Sequence, residues 1–324
     1  MKNKHYFFEK VTPMHPDKIA DRIAGAIVDL VYRECKRIDK RPICAAEVLI
    51  GHGECNIIGE VNTALNLIDI ESAVHRIAND KNIKVKVNLS AQDTHLADNQ
   101  SSQEYRCGDN GIFKGVPADG MELAFTNLIS MLYDKFQSDG KGLIHISRSE
   151  EGVVETDITI CQSNANKNEI DLIIKKWFNI YETFLNLNKN RFNVKINPLG
   201  SWTGGLNVDT GATNRKLGSD MSRAVTGGGL MGKDCSKADV TLNILAYLMA
   251  QRTGRETRLM CSIGDCIIFN EERQPINTVD YLNGMTYSDA VDLANKYIRD
   301  IGGFEKFAEW GIIQPTIPYE NVDY

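Results

Sequence analysis

The sequence has no long hydrophobic run, no paired-cysteine motif and no surplus of positive charge. No segment approaches the roughly 18 apolar residues of a membrane span, and the aromatic run in the N-terminal MKNKHYFFEK is too short for a signal peptide. A net charge of −6 argues against general nucleic-acid binding, so a polyanion can be held only where Lys, Arg and metal cluster locally. These absences predict a cytoplasmic protein without membrane or nucleic-acid partners.

The eight cysteines show neither a CxxC pair nor a metal-ligand spacing. Most lie in apolar stretches, which favours free, buried thiols in a reducing compartment. With 324 residues, 42% of them hydrophobic and 25% charged, the chain has an ordinary globular composition. It is long enough to bury a sizeable core in two or three subdomains.

Helical and strand-like patterns alternate three times along the chain. Each block contains a helix, two strands and a second helix, with a further strand at the edge. The paired strands are AAEVLIGH with CNIIGEV, GLIHISRS with VVETDITICQS, and LMCSI with CIIFN. In the first block the flanking helices are predicted from about residue 17 and near 70–77. In the second block they are predicted at MELAFTNLISMLYDKF and near 170–187, and in the third after Lys237 and at 288–298. The pattern predicts an α+β protein of three similar subdomains. The polar stretch 90–111 lacks any period and is predicted to be a long loop of the kind that forms active-site lids.

The stretch TGGGLMGKDCSKAD, residues 226–239, almost spells a phosphate-binding P-loop, but Asp234 stands where Ser or Thr is needed. No strand-like run precedes it, and a P-loop requires one. The P-loop interpretation is therefore rejected. A mobile Gly-rich surface loop and a different polyphosphate-binding device both remain open.

Four other segments are of similar character. HPDKIAD places His15 and Pro16 at a helix start, where an anion is favoured, although taken alone such a segment is more often an ordinary capped helix start. NPLGSWTGGLNVDTGATNRK combines flexible glycines with the aromatic face of Trp202, a carboxylate and adjacent cations. SDGKG and GDNG are by themselves only turns.

Together, in this order, the segments resemble the S-adenosylmethionine synthetase family, also called methionine adenosyltransferases. HPDKIAD is similar to the family's N-terminal signature, GDNG to its GDQG, SDGK to its PDGK or PDAK, and GGGLMGKDCSKAD to its GGGAFSGKDPSKVD. The resemblance implies three subdomains related by pseudo-threefold symmetry, with expected bounds 1–98, 99–203 and 204–324. It also implies the reaction of ATP with L-methionine, two magnesium ions per site, potassium, and a homodimer, often within a tetramer, whose sites lie between subunits.

The resemblance implies a role for each matching residue. The expected catalytic residues around the triphosphate are His15, Lys141, Arg215, Lys233 and Lys237. The expected nucleotide-binding residues are Glu9, Asp109, Asp139, Trp202 and Lys216. The expected methionine-binding residues are Glu60, Gln92, Asp209 and Ile263. The expected metal ligands are Asp17 and Asp239 for magnesium and Glu47 for potassium.

The sequence departs from the family pattern in several places. Pro13 and Met14 replace Glu and Gly before His15, Ser201 stands where an Arg is usual, and His95 lies where an Asp is common. Several loops are shorter, and the C-terminus lacks the usual aromatic-glycine ending. Two alternatives therefore stay open: a related transferase with another thioether acceptor, and a non-catalytic nucleotide-binding subunit that regulates an active homologue.

Overall fold

A computed structural model describes residues 4–101, 104–150, 154–276 and 284–316. The strands are β1 (Lys4–Val11), β2 (Cys44–Gly51), β3 (Glu54–Val61), β4 (Lys84–Ala91), β5 (Gly111–Gly115), β6 (Gly140–Arg148), β7 (Val154–Gln162), β8 (Phe192–Ile196), β9 (Gly211–Ala212), β10 (Thr257–Cys261) and β11 (Phe269–Asn270). The helices are α1 (Pro16–Arg37), α2 (Leu67–Ala78), α3 (Thr94–Ser101), α4 (Gly120–Phe136), α5 (Lys167–Leu185), α6 (Leu217–Met221), α7 (Ala238–Thr253), α8 (Tyr287–Ile301) and α9 (Phe304–Trp310). None of the helices in these ranges is long and apolar enough to span a membrane.

The predicted alternation of helices and paired strands is confirmed, and the fold is α+β. In the described residues the strands form three sheets, ordered β1-β6-β7-β8, β4-β3-β2-β9 and β11-β10-β5. Each sheet contains one antiparallel hairpin, which a helix precedes and another helix follows. The units are α1-β2-β3-α2, α4-β6-β7-α5 and α7-β10-β11-α8. In the first two units a parallel edge strand follows, β4 or β8.

One strand of each sheet comes from elsewhere in the chain. β1 precedes the first unit but pairs with β6 of the second, β5 precedes the second unit but pairs with β10 of the third, and β9 precedes the third unit but pairs with β2 of the first. This cyclic exchange gives the three units an equivalent build. The subdomain bounds 1–98, 99–203 and 204–324 stay a prediction, and each exchanged strand bonds to a strand of another predicted subdomain.

Two details of the pattern analysis were wrong. The stretch 90–111 was predicted to be a loop throughout, but β4 ends at Ala91 and α3 follows. The amide of Ala97 bonds to the carbonyl of Asp93, so this short helix is held by local backbone bonds. It has no apolar stripe for a periodicity search to detect. Only the last two residues of CIIFN form a strand, β11.

Helix α1 lies at the centre of the larger hydrophobic core, which joins the first and third units. Its residues Ile19, Ile23, Ile27 and Val31 are almost fully buried, and Gly25 lies directly against the backbone of Phe304 in α9. A second core packs α4 and α5 against the β1-β6-β7-β8 sheet. The buried position of α1 fixes its N-terminus, which begins at His15, in the interior of the fold.

A charged triad is enclosed beside α1. The Lys18 Nζ lies 2.5 Å from Asp220 Oδ1 and 3.1 Å from Asp21 Oδ2, and all three residues are at most 1% exposed. Burial opposes the charge on Lys18, but the two carboxylates raise its pKa above the ordinary value. Burial and the charge of Asp220 raise the pKa of Asp21 to about 7, although Lys18 opposes this rise. The triad ties α1 to α6.

Candidate active site

The N-terminus of α1 carries a histidine in a defined tautomer. His15 caps the helix, and its Nδ1 accepts the backbone N–H of Asp17 at 3.2 Å. Pro16 at the first helical position has no N–H to satisfy and favours the helical φ. Because Nδ1 is an acceptor, the ring proton of the neutral imidazole lies on Nε2. His15 therefore has one N–H to offer to a ligand.

The imidazole of His15 is neutral. It is 2% exposed, and burial, together with the positive charges of Lys216 and Lys141, lowers its pKa to about 3. The charge of Asp209 opposes this effect. At neutral pH the ring is a hydrogen-bond donor without a charge of its own.

Replacing His15 with Asn should make the protein less sensitive to acid. The unfolded histidine binds a proton below about pH 6.5, whereas the folded one does so only near pH 3. His15 thus contributes stability above pH 6.5 that is lost as the pH falls toward 3, at about 1.4 kcal/mol per pH unit. Urea unfolding between pH 7 and 4 should show a shallower loss in His15→Asn, which keeps a good helix cap. Parallel curves for parent and variant would contradict the assignment.

Asp17 is the buried carboxylate of the site. Its Oδ1 accepts the amide of Ala212 at 3.0 Å and lies 3.6 Å from Arg215 Nε, and its Oδ2 lies 3.9 Å from Lys216 Nζ. Gly211 makes this approach possible, because a Cβ there would lie 1.9 Å from the carbonyl oxygen of Pro16. The exchanged strand β9 thereby brings two cations to the start of α1.

Strand β6 supplies a lysine, and the residue just before the strand, Asp139, is a second carboxylate. The pairing of Lys141 with Val11 places β6 beside the turn that leads to His15, and the Thr12 hydroxyl accepts the amide of Gly140. Lys141 Nζ lies 5.1 Å from the centre of the Trp202 ring, in cation–π contact. Cation and aromatic face thus lie on the same side of the site.

Asp139 orders the glycine-rich loop after Trp202. Its Oδ2 accepts the amide of Gly205 at 2.8 Å, and a Cβ on Gly204 would lie 2.4 Å from the same oxygen. Its Oδ1 is buried and has no hydrogen-bond partner in the described part of the chain. Burial raises the pKa of Asp139 to about 6. Glu9 lies nearby on β1, with its carboxylate against Gly218 of α6.

The loop that resembled a P-loop is held by Asp234. This side chain is 1% exposed, accepts the amides of Cys44 at 2.8 Å and Ser236 at 2.7 Å, and so fastens the loop to the start of β2. Burial raises its pKa, although the charge of Lys237 opposes the rise. Upstream of Thr226 lie α6 and a short 3-10 turn rather than a strand. Asp234 is therefore a structural residue of a loop with another architecture.

Lys233 and Asp239 form a second charged group. Their side chains lie 2.5 Å apart and are each about one quarter exposed. Gly228, at φ +77°, allows the backbone to pass Asp239, because a Cβ would lie 2.6 Å from Oδ1. Lys237 caps α7 next to them. Each cation thus stands beside a carboxylate.

Asn214 connects the segment after β9 to the glycine-rich loop before Lys233, and the sequence analysis did not single it out. Its amide donates to Asp21 Oδ1 at 2.8 Å, and its side chain exchanges hydrogen bonds with the backbone of Met231 at 2.8 and 3.2 Å. Asn214 lies between Ala212 and Arg215 in the segment GATNRK, and this position within a recognised motif is the sequence signal that could have identified it.

The remaining expected residues are distributed around these groups. Asp209 is exposed and bonds to the amide of Thr210, and its charge acts on both His15 and Asp139. Asp109 and Ile263 lie close together, because Asn110 Oδ1 accepts the amide of Ile263 at 3.0 Å.

Three further residues are not joined to these groups by the contacts above. Glu47 accepts the Thr213 hydroxyl. Glu60 is exposed on β3, whereas Gln92 is buried and neither of its amide atoms has a partner in the described residues. Gln92 instead lines a cavity of about 590 Å³ between the β4–α3 connection and the end of β3.

No cluster of three or more His, Cys, Asp or Glu side chains that could hold a metal occurs within the described ranges. Asp17 and Asp239 therefore offer single carboxylates. Magnesium is often held by one or two carboxylates together with substrate phosphates and water. The donor set fits a metal that arrives with a polyphosphate.

Comparison with known proteins shows which proteins the chain is similar to. Residues 4–103 match the model of the S-adenosylmethionine synthetase N-terminal domain. The S-adenosylmethionine synthase of Mycoplasma capricolum is 26% identical, over 84% of this chain and 82% of the relative, and that of Acholeplasma laidlawii is 29% identical, over 79% and 76%. The chain is therefore similar to S-adenosylmethionine synthetases along most of its length. The fold is similar to that of an unusual S-adenosylmethionine synthetase from Campylobacter jejuni, with a TM-score of 0.72 and 20% identity over 95% of this chain and 94% of that one.

One departure from the synthetase pattern has a structural explanation. The Arg22 guanidinium donates to the carbonyl of Pro13 at 3.1 Å and lies 3.8 Å from the sulfur of Met14. These contacts fix the position of Pro13 and Met14, the two altered residues before His15. Nothing in the structure explains Ser201.

Proposed function

We propose that this chain is a methionine adenosyltransferase, which makes S-adenosylmethionine from ATP and L-methionine. The methionine sulfur attacks the 5′ carbon of ATP and expels the triphosphate, which is then hydrolysed to phosphate and pyrophosphate. The observation that carries the proposal is a buried, neutral His15 with Lys141 and Lys216 acting on it and Arg215 beside Asp17. The names of the relatives, each an S-adenosylmethionine synthase, support it.

The charge distribution suits this reaction. A thioether has no proton to lose, so no general base is required, and the task is to stabilise the negative charge that develops on the leaving oxygen. In this proposal the leaving oxygen accepts a hydrogen bond from the Nε2–H of His15, the only ring N–H of its tautomer. The charges of Lys141, Arg215 and Lys216 would hold the triphosphate, with Lys233 and Lys237 from the second group.

Alignment of sulfur and carbon provides the rest of the rate enhancement, because correct placement can lower a barrier by about 7–11 kcal/mol. Trp202 would stack on the adenine and Lys141 would bind the phosphates, and the contact between these two side chains supports adjoining positions for base and phosphates. Glu9, Asp109 and Asp139 are proposed for the rest of the nucleotide. The methionine-binding residues are proposed as Glu60, Gln92, Asp209 and Ile263.

We assign the metals to the single carboxylates. Asp17 and Asp239 would each hold a magnesium ion together with phosphate oxygens, and bound magnesium would neutralise phosphate charge. Glu47, exposed beside the Thr213 hydroxyl, would hold potassium.

A homodimer would complete the site. Asp17 is engaged with Arg215 and Lys216, whereas Lys233 is engaged with Asp239, so the chain presents two separate charged groups. Two sheets also carry exposed apolar side chains on one face, Leu49 with Ile58 and Phe7 with Leu143. We infer that these faces meet in a dimer in which the second group of one subunit faces the first group of its partner.

The test is mass spectrometry of the purified chain with ATP, methionine, magnesium and potassium, with its mass in solution measured by light scattering. S-adenosylmethionine should form, and Lys233→Ala should lower the rate about 10²-fold, as loss of one charge-stabilising group does. Lys86→Ala removes a lysine of an exposed ion pair with Glu54 and should retain the parent rate. ATP binding without product would instead favour another thioether acceptor or a regulatory subunit.

A further inference from the structure

A pair of buried thiols lies directly behind the GDNG turn. Cys107 precedes the turn, Cys261 ends β10, and the two side chains are in hydrogen-bonding contact. They are 1% and 3% exposed. The proposed transfer reaction uses no thiol, so that chemistry leaves the pair without a role.

The backbone already holds the two segments together. The amide of Cys107 donates to the carbonyl of Asp265, and the amide of Gly264 donates to the carbonyl of Cys107, both at 2.9 Å. One step further along, Asn110 accepts the amide of Ile263. The thiol contact therefore lies at the base of the turn that presents Asp109 and Ile263.

The two sulfurs differ in acidity. The contact with Cys261 lowers the pKa of Cys107 although the residue is buried. The same contact, with burial, raises the pKa of Cys261. By contrast, burial raises the pKa of Cys55 to about 12. The Cys107 thiol also donates to the carbonyl of Asp109 at 2.9 Å, which joins the pair directly to the turn.

We propose that Cys107 and Cys261 form a reversible disulfide that disables the GDNG turn, with a peroxide as the oxidant. The Cys107 thiolate attacks one peroxide oxygen, the O–O bond breaks, hydroxide leaves and takes up a proton, and a sulfenic acid forms. The Cys261 sulfur then attacks the Cys107 sulfur, and the S–OH bond breaks with release of water. Two thiols lose two electrons and two protons, and one peroxide becomes two waters.

The cross-link must move the turn. A disulfide requires an S–S distance of about 2.05 Å, much shorter than a hydrogen-bonding contact, so the segment from Cys107 to Asp109 has to shift toward β10. The effects of the disulfide on activity and on ATP binding rest on the proposed function, whereas the formation of the disulfide does not.

The experiment treats the full chain with hydrogen peroxide, blocks the remaining thiols and maps disulfide-linked peptides by mass spectrometry. We expect a Cys107–Cys261 peptide, a reversible loss of activity and weaker ATP binding by at least about tenfold, because a small misplacement of a binding group has large effects. Dithiothreitol should restore both. Cys107→Ser and Cys261→Ala should each retain activity under peroxide, whereas Cys266→Ser, a nearby and more accessible thiol, should respond as the parent does.

Two results would overturn the switch: no linked peptide at peroxide concentrations that oxidise Cys266, or a linked peptide with unchanged activity and ATP binding. A parent chain that makes no S-adenosylmethionine would refute the proposed function instead. The peptide map and ATP binding by equilibrium dialysis would still decide the inference.

Discussion

Gly211→Ala is expected to destabilise the protein by about 3 kcal/mol, the upper end of the usual cost of overpacking, and to lower transferase activity about 10²-fold. An added Cβ would lie 1.9 Å from the carbonyl oxygen of Pro16. Both partners are backbone, so no side-chain rotation relieves the contact and β9 has to move away from α1. That movement breaks the bond from Ala212 to Asp17 and displaces Arg215. Urea unfolding and the rate of S-adenosylmethionine formation measure the two effects.

Gly120→Ala is the matched control for this steric argument. A Cβ there, at the start of α4, meets only side-chain atoms of Leu185 and Phe184 at 3.6 Å, which is ordinary contact. This variant should unfold at the parent's urea concentration or slightly above it, because alanine favours a helix. If the two glycine variants have equal midpoints, the close approach of β9 to α1 is not what limits position 211.

Lys18→Met is expected to lower the free energy of unfolding by about 3–5 kcal/mol, the usual cost of breaking a buried ion pair from one side. In the parent, the Lys18 Nζ lies 3.1 Å from Asp21 and 2.5 Å from Asp220. The change leaves both carboxylates buried without this cation. Adding Asp220→Asn should recover much of the loss, because it removes one of the two unpaired charges. Urea unfolding of both variants at fixed pH provides the measurement.

The loss in Lys18→Met should grow as the pH rises. The pKa of Asp21 is raised to about 7 in the folded parent. A raised pKa contributes stability that is complete below the ordinary value near 4 and is lost as the pH approaches 7. Without Lys18 nothing in the triad opposes that rise, so unfolding at pH 8 should show a larger difference from the parent than at pH 5. An equal difference at both values would show that the carboxylates do not titrate in this range.

Local signals in the sequence predicted the repeating units well. His15 and Pro16 mark the start of α1, Gly254 the end of α7, and alternating apolar residues the β6–β7 hairpin. These elements form because neighbouring residues cap, turn or alternate, so the chain encodes them over short distances. The ordered motifs likewise indicated the resemblance to the S-adenosylmethionine synthetase family.

Other features depend on residues far apart in the chain. β9 has only two residues, and nothing in Gly211–Ala212 indicates that they pair with β2 or support Asp17. The sequence also does not show that Asp234 is buried and bonded to the backbone of Cys44, whereas Asp239 is more exposed and pairs with Lys233.

The sequence by itself predicted the helix–hairpin–helix units, the resemblance to the synthetase family and the residues proposed for a triphosphate, because each depends on local pattern or on short motifs. Only the tertiary structure decided that β1, β5 and β9 are exchanged between units, that Asn214 bonds to the glycine-rich loop, and that burial keeps His15 neutral. The physical reason is the same in all three cases. Long-range pairing and burial set a residue's partners and its pKa, and neither is encoded in the residues next to it.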